Sequence, residues 1–303
     1  MNRSHLSVVI FTFFLVNVSS GKILNDSLSP GKNFDKAAFR LWMTDDNRAV
    51  GGVLVLMPGS AEDGRSLAED PFWQGFAKQH NFALVGCFFS DRPHENMDVE
   101  EYANAKEGSG QALLDVLSLF AKNSGHAELV NAPLLLWGHS AGGEFNYEFA
   151  CWQPQRVIAF VVNKGGIYYS NLASVTTGKV PGLFVVGEKD IAFRNDVIKG
   201  IFSINRRFGA IWTFAVEPGI GHAIGRTKEL AAAFFNELLP LRLDTIQDAN
   251  LLEIKEDSGW VGDPKTYEII PFPNWQAQSY GCSWIVNAKF ASTWLAFCKG
   301  KPF

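Results

Sequence analysis

From residue 50 onward, short runs of wholly apolar residues alternate with longer stretches in which apolar positions recur every three or four residues. The apolar runs are 52–57 (GVLVLM), 82–89 (FALVGCFF), 133–138 (PLLLWG), 157–163 (VIAFVVN), 182–187 (GLFVVG) and 211–216 (IWTFAV). A strand that is apolar at consecutive positions has both faces covered, the mark of a mostly parallel sheet between layers of helix. The stretches between predict the helices. One is expected to begin at Asp70 and Pro71, with aspartate as N-cap and proline at the first helical position, and to carry Phe72, Phe76 and Ala77 on one face. A second is predicted over 99–122, with Leu113, Leu114, Leu117 and Phe120 toward the sheet. Others should start directly after Ser140, span 194–207 and span 227–239. Segment 33–43 is a source of leading antiparallel strands. The expected class is α/β, with a mostly parallel central sheet flanked by helices.

Both ends of the chain depart from this rhythm. Arg3 precedes an apolar run over 6–18, followed by Ser19, Ser20 and Gly21, the pattern of a secretory signal peptide cleaved after Ser20 or Gly21. The run is shorter than the roughly 20 residues of a spanning helix. No later stretch is long and apolar enough to cross a bilayer, so the mature protein is expected to be secreted or periplasmic, without stable membrane insertion. From residue 241 the chain becomes rich in Pro, Trp and Gly before a last short helix near 288–298. The expected division is therefore a signal peptide over 1–21, a main α/β domain over 22–240, and a loop-rich C-terminal extension over 241–303 packed on that same domain.

Charge and cysteine content narrow the function. With 27 Lys+Arg against 31 Asp+Glu and a net charge of −4, the chain lacks a basic footprint for nucleic acid or anionic membrane. Cys87, Cys151, Cys282 and Cys298 are an even set in an exported chain, and Cys282 with Cys298 is the preferred disulfide because both lie in the loop-rich tail. Cys87 and Cys151 sit in apolar segments and read as buried thiols. No clustered Cys/His pattern points to zinc. Trp73, Trp152, Trp260, Trp275, Trp284 and Trp294 are candidates for an aromatic cleft, although such residues more often form core.

The chemistry concentrates in Gly138-His139-Ser140-Ala141-Gly142, a G-x-S-x-G motif between an apolar strand and a helical stretch. Small residues on either side let a strained strand-to-helix turn expose a serine hydroxyl. A serine is a poor nucleophile near neutral pH, so a histidine base and an orienting carboxylate are needed. His5 falls in the signal segment, His139 is read as pointing away, and His80, His94 and His126 precede the serine. His222 remains, in a glycine-rich loop after the strand at 211–216, where open α/β sheets place their sites. Asp190, after the strand at 182–187, is the preferred acid, with Glu188 and Asp196 as competitors. Ala141 N–H follows the nucleophile directly, and Ser60 N–H, in the Pro58-Gly59-Ser60 turn after the strand at 52–57, is the candidate second oxyanion donor.

In these motifs the chain resembles the α/β-hydrolase superfamily, and is similar to its exported dienelactone-hydrolase, polyhydroxybutyrate-depolymerase and feruloyl-esterase type. The resemblance covers about residues 50–240 and rests on the PGS loop, GHSAGG, GEKD and GIGH in that order. It implies the α/β-hydrolase fold and the roles just assigned. One departure is Pro58, where many members carry histidine before the glycine of the oxyanion loop. The expected activity is hydrolysis of a small-molecule or polymeric carboxylic ester through an acyl-enzyme on Ser140, with no cofactor or metal. An exported serine peptidase and a noncatalytic binding protein on the same fold are the alternatives.

Overall fold

The apolar runs become the spine of one sheet. Its strands are β1 (Gly21–Leu28), β2 (Lys36–Thr44), β3 (Gly52–Met57), β4 (Phe82–Ser90), β5 (Leu134–His139), β6 (Val157–Asn163), β7 (Gly182–Gly187) and β8 (Trp212–Glu217). They lie in the order β1-β2-β4-β3-β5-β6-β7-β8. β2 pairs antiparallel with both β1 and β4, and every other neighbouring pair is parallel. The computed structural model describes residues 21–46, 48–97, 99–243, 251–275 and 279–303. Apart from Gly21, which opens β1, the expected signal segment lies outside the described residues. Among the described residues no helix is long and apolar enough to cross a membrane.

Among the described residues seven α-helices flank the sheet: α1 (Pro71–His80), α2 (Ser109–Ser124), α3 (Ala141–Trp152), the single turn α4 (Val175–Gly178), α5 (Ala192–Arg207), α6 (Thr227–Arg242) and α7 (Ala288–Cys298). Because side chains alternate along a strand, each apolar run feeds two cores. Val53, Val55, Leu134, Leu136, Phe160 and Phe184 meet α2, α3 and α5 on one face. Leu54, Leu56, Leu135, Trp137, Val161 and Leu183 meet α1, α6 and α7 on the other.

The expected helix over 99–122 is shorter in fact. Residues 101–107 form two 3-10 turns, and Gly108 at φ 142° breaks the chain before α2. Asn33 stabilises this break: its Nδ2 donates to the carbonyls of Glu101 and Asn104, both at 2.9 Å, and its Oδ1 accepts Ser109 N–H at 2.9 Å.

Among its described residues the C-terminal extension carries short strands and a helix between its loops. It contains a three-stranded antiparallel sheet, β10-β9-β11, of β9 (Trp260–Gly262), β10 (Ile269–Pro271) and β11 (Ser283–Ile285). This sheet covers β8, the outer strand of the large sheet, whose edge would otherwise expose unpaired backbone. Ser283 Oγ accepts Phe214 N–H at 2.9 Å and donates to Phe214 O at 2.8 Å, while Trp294 Nε1 donates to the same carbonyl at 2.8 Å.

The expected Cys282–Cys298 disulfide is not formed, and all four cysteines are free thiols. Cys282 is held beside α5, its carbonyl accepting from Arg206 Nε at 3.1 Å, whereas Cys298 ends α7 in the core layer shared with α6. Burial pushes the two thiols up to about 11 and about 12, suppressing the thiolate that disulfide exchange requires. Trp73, Trp284 and Trp294 are fully buried core rather than cleft lining.

Candidate functional site

The carboxyl ends of β3, β5, β7 and β8 converge on one rim, and each supplies part of the site. β5 ends at His139 and α3 begins at Ala141, so Ser140 alone makes the turn. Its backbone lies at φ 54°, ψ −125°, a region that side chains other than glycine's adopt only under constraint. The constraint is visible. Ser140 N–H donates to Asn163 O at 2.9 Å, and Ser140 O accepts from the N–H groups of Gly143 at 2.8 Å and Glu144 at 3.1 Å. Both motif glycines are demanded by close approach: a Cβ on Gly138 would sit 2.3 Å from Gly142 O, and one on Gly142 would sit 2.4 Å from the carbonyls of Met57 and Pro58.

The structure brings Ser140, His222 and Asp190 into one chain. His222 Nε2 is 2.9 Å from Ser140 Oγ, and His222 Nδ1 is 2.9 Å from Asp190 Oδ2. An ionised carboxylate only accepts, so the neutral imidazole carries its proton on Nδ1 and turns the Nε2 lone pair toward the serine hydroxyl. Asp190 is held on its other oxygen, Oδ1, by Ile191 N–H at 2.8 Å and Arg194 Nη1 at 2.5 Å. Burial of this carboxyl would raise its pKa, but the hydrogen bonds from His222 and Ile191 and the Arg194 charge outweigh it and hold the group below the usual aspartate range.

The competing carboxylates go elsewhere. Glu188 Oε2 accepts Gly219 N–H at 2.6 Å, tying the turn after β7 to the loop that carries His222, and Asp196 lies along α5. Ala141 N–H opens α3, directly beside the serine. In the turn after β3, Gly59 N–H is taken by Glu62 Oε2 at 3.1 Å, and exposed Ser60 offers the next backbone donor.

Two features escaped the sequence reading. His139 does not point away from the site: its ring centroid is 5.0 Å from that of His222, at 36° between planes. It is 7% exposed, neither ring nitrogen has a partner among the described residues, and burial together with the adjacent His222 pushes it down to about 4, so it is neutral. With Pro58, Glu62, Ser66, Trp137 and Ile224 it lines a cavity of about 320 Å³. The second is a buried ion pair, Lys164 with Glu217, at the ends of β6 and β8. A charge just after an apolar run is the only signal of Lys164 in the sequence, and it reads equally as the ordinary end of a strand. Among the described residues no group of His, Cys, Asp and Glu is arranged to hold a metal ion.

No protein-family model matches the chain, and no curated protein matches it in sequence. Solved structures do resemble it. A poly(3-hydroxybutyrate) depolymerase from Bordetella parapertussis matches with a TM-score of 0.52 at 18% identity, covering 72% of this chain and 89% of that one. A ferulic acid esterase matches with a TM-score of 0.53 at 14% identity, over 73% of this chain and 96% of its own. An S-formylglutathione hydrolase from Agrobacterium tumefaciens matches with a TM-score of 0.52 at 12% identity, over 71% and 94%. Together with the strand order, these likenesses establish the α/β-hydrolase fold.

Proposed function

We propose that this protein is a serine hydrolase that cleaves carboxylic esters through an acyl-enzyme on Ser140. The observation that carries the reading is the continuous path from Ser140 Oγ through both nitrogens of His222 to Asp190, with each link at 2.9 Å. Ser140 Oγ attacks the ester carbonyl while His222 Nε2 takes its proton, and Asp190 stabilises the imidazolium. The N–H groups of Ala141 and Ser60 receive the oxyanion. Collapse of the tetrahedral adduct expels the alcohol, which takes the proton from His222. Water, deprotonated by His222, then attacks the acyl-enzyme, and collapse of the second adduct releases the acid as Ser140 Oγ takes the proton back from His222.

The depolymerase, ferulic acid esterase and S-formylglutathione hydrolase named above support a reading in which an acyl-oxygen or acyl-sulfur bond is cleaved. In this reading the substrate is a small or polymeric ester. The chain works as one catalytic domain with its C-terminal extension packed on it, outside the cytoplasm after loss of residues 1–21. The test is hydrolysis of graded p-nitrophenyl and feruloyl esters by the wild type and by Ser140→Ala, together with labelling by a fluorophosphonate. Serine-dependent turnover and a covalent adduct on Ser140 are expected. A folded wild type that neither turns over any ester nor takes the label overturns the proposal.

A further inference from the structure

Behind the three aligned side chains lies a buried ion pair that the proposed chemistry does not consume. Lys164 is fully buried, and its Nζ donates to Glu217 Oε2 at 2.8 Å and to Asn163 Oδ1 at 3.0 Å. Glu217, the last residue of β8, is 1% exposed and uses its second oxygen, Oε1, to accept Arg226 N–H at 2.7 Å, just before α6. His222 rides on the loop between those two attachments. Asn163 closes the arrangement from the other side: its Nδ2 donates to Ile224 O at 3.3 Å, and its backbone carbonyl accepts the N–H of Ser140. The backbone N–H of Lys164 in turn donates to Val185 O at 2.8 Å, in the strand that leads to Asp190.

We propose that Lys164 and Glu217, with Asn163, form a positioning clamp that sets the His222 loop in register with the Ser140 elbow. The inference rests on the serine-hydrolase reading, in which a misplaced imidazole is a misplaced base. Stability alone does not account for the pair, since apolar residues of similar volume commonly serve a core as well as a buried ion pair does. A hydrophobic contact tolerates sliding, whereas a carboxylate with both oxygens committed fixes the spacing between the end of β8 and the entry to α6. The chain accepts local constraint to keep it there. Lys164 sits at φ 56°, and Gly225, at φ 60°, passes so close that a Cβ would lie 2.2 Å from Glu217 Oε2. Burial lowers the Lys164 pKa, and the Glu217 hydrogen bond and charge oppose that shift, so the ammonium depends on its partner.

The experiment compares Lys164→Met and Glu217→Gln, both close in volume to the original residues, with wild type. For each folded protein kcat and KM are measured on p-nitrophenyl acetate, along with the rate at which a fluorophosphonate labels Ser140. The clamp predicts that kcat and labelling both fall on the order of a hundredfold, the usual cost of about 1 Å of misalignment, while KM moves by less than about threefold. Variants that melt earlier but react at the wild-type rate per folded molecule reduce the pair to a structural element and overturn the proposal. If Lys164→Met does not fold, Glu217→Gln decides alone, because it keeps one acceptor oxygen and the shape of the site. If wild type itself shows no turnover and no label, the serine-hydrolase reading fails separately. The clamp is then read from the His222 Nδ1–H proton resonance: loss of the resonance in the variants supports it, and an unchanged resonance refutes it.

Discussion

If Ser140 is the nucleophile proposed above, Gly142→Ala inserts the smallest available wedge between its turn and the loop after β3. The added Cβ would lie 2.4 Å from the carbonyl oxygens of both Met57 and Pro58. Carbon and oxygen rest no closer than about 3.3 Å, so one side must yield by roughly 1 Å. α3 cannot yield easily, since Phe145, Asn146, Tyr147 and Phe149 are all fully buried on it. The loop of Pro58, Gly59 and Ser60 should move instead, carrying the Ser60 N–H away from the place where the proposed mechanism puts the oxyanion. Loss of one such donor costs on the order of 10²–10³ in kcat, or about 3–4 kcal/mol of transition-state stabilisation. Ground-state binding depends little on that donor, so KM should change by less than about threefold. The overpacking itself should lower stability by about 1–3 kcal/mol. The assay is steady-state hydrolysis of p-nitrophenyl acetate, normalised to folded protein by calorimetry. Gly143→Ala is the control: its nearest neighbours are at 3.2 Å, and a few tenths of an ångström of give should hold the loss within about tenfold. A folded Gly142→Ala enzyme with wild-type kcat refutes the assignment of the oxyanion loop.

Three further outcomes follow from the same geometry. Asp190→Asn keeps the contacts of Ile191 and Arg194 on one oxygen but presents an amide N–H to His222 Nδ1, selecting the wrong tautomer; kcat on the same ester should fall by about 10⁴ with the fold intact by circular dichroism. Glu144, whose Oε1 accepts the N–H groups of Gly166 and Ile167, is raised by burial from 4.5 to about 7. A raised acid stabilises the fold fully below its unfolded pKa and loses that contribution as pH rises through the folded one. Wild type should therefore lose on the order of 3 kcal/mol between about pH 4.5 and 7 that Glu144→Gln does not lose, and parallel pH–stability curves in urea would refute this. Gly200 lies exposed in α5 with nothing within 4 Å of an added Cβ, so Gly200→Ala should stabilise by about 0.5–1 kcal/mol in thermal denaturation and leave turnover unchanged.

The parts of this architecture that were legible in the sequence are those in which burial leaves a periodic trace. β3 through β8 are sandwiched between helices, so they show as unbroken apolar runs. β1, at the outer edge, is nowhere fully buried, and GKILNDSL carries no comparable signal. The three strands of the small sheet are three residues each, too short for any period to register. The helix expected over 99–122 was cut back by Asn33, whose hydrogen bond to Ser109 spans 76 residues of chain and cannot be read from local pattern.

The site divides along the same physical line. A sharp strand-to-helix turn is a local demand, and Gly138, Ser140 and Gly142 record it in five consecutive residues. The choice between Asp190 and Glu188 is not local: they lie two residues apart on one turn, and only the course of the loop after β8 sends one carboxylate to His222 and the other to Gly219 N–H. His139 illustrates the limit most directly. Its place in the motif suggested a side chain directed away, yet the strained turn at Ser140 leaves it on the end of β5, its ring 5.0 Å from that of His222. Lys164 and Glu217 are 53 residues apart, each at the end of an apolar strand where a solvated charge is the ordinary expectation. What makes them a pair is the parallel order β6-β7-β8, which puts the two strand ends at the same rim with one strand between them. Residues whose role is set by the alignment of several strand ends become visible only once those strands are in register, and these are the residues through which distant parts of the chain place His222 on Ser140.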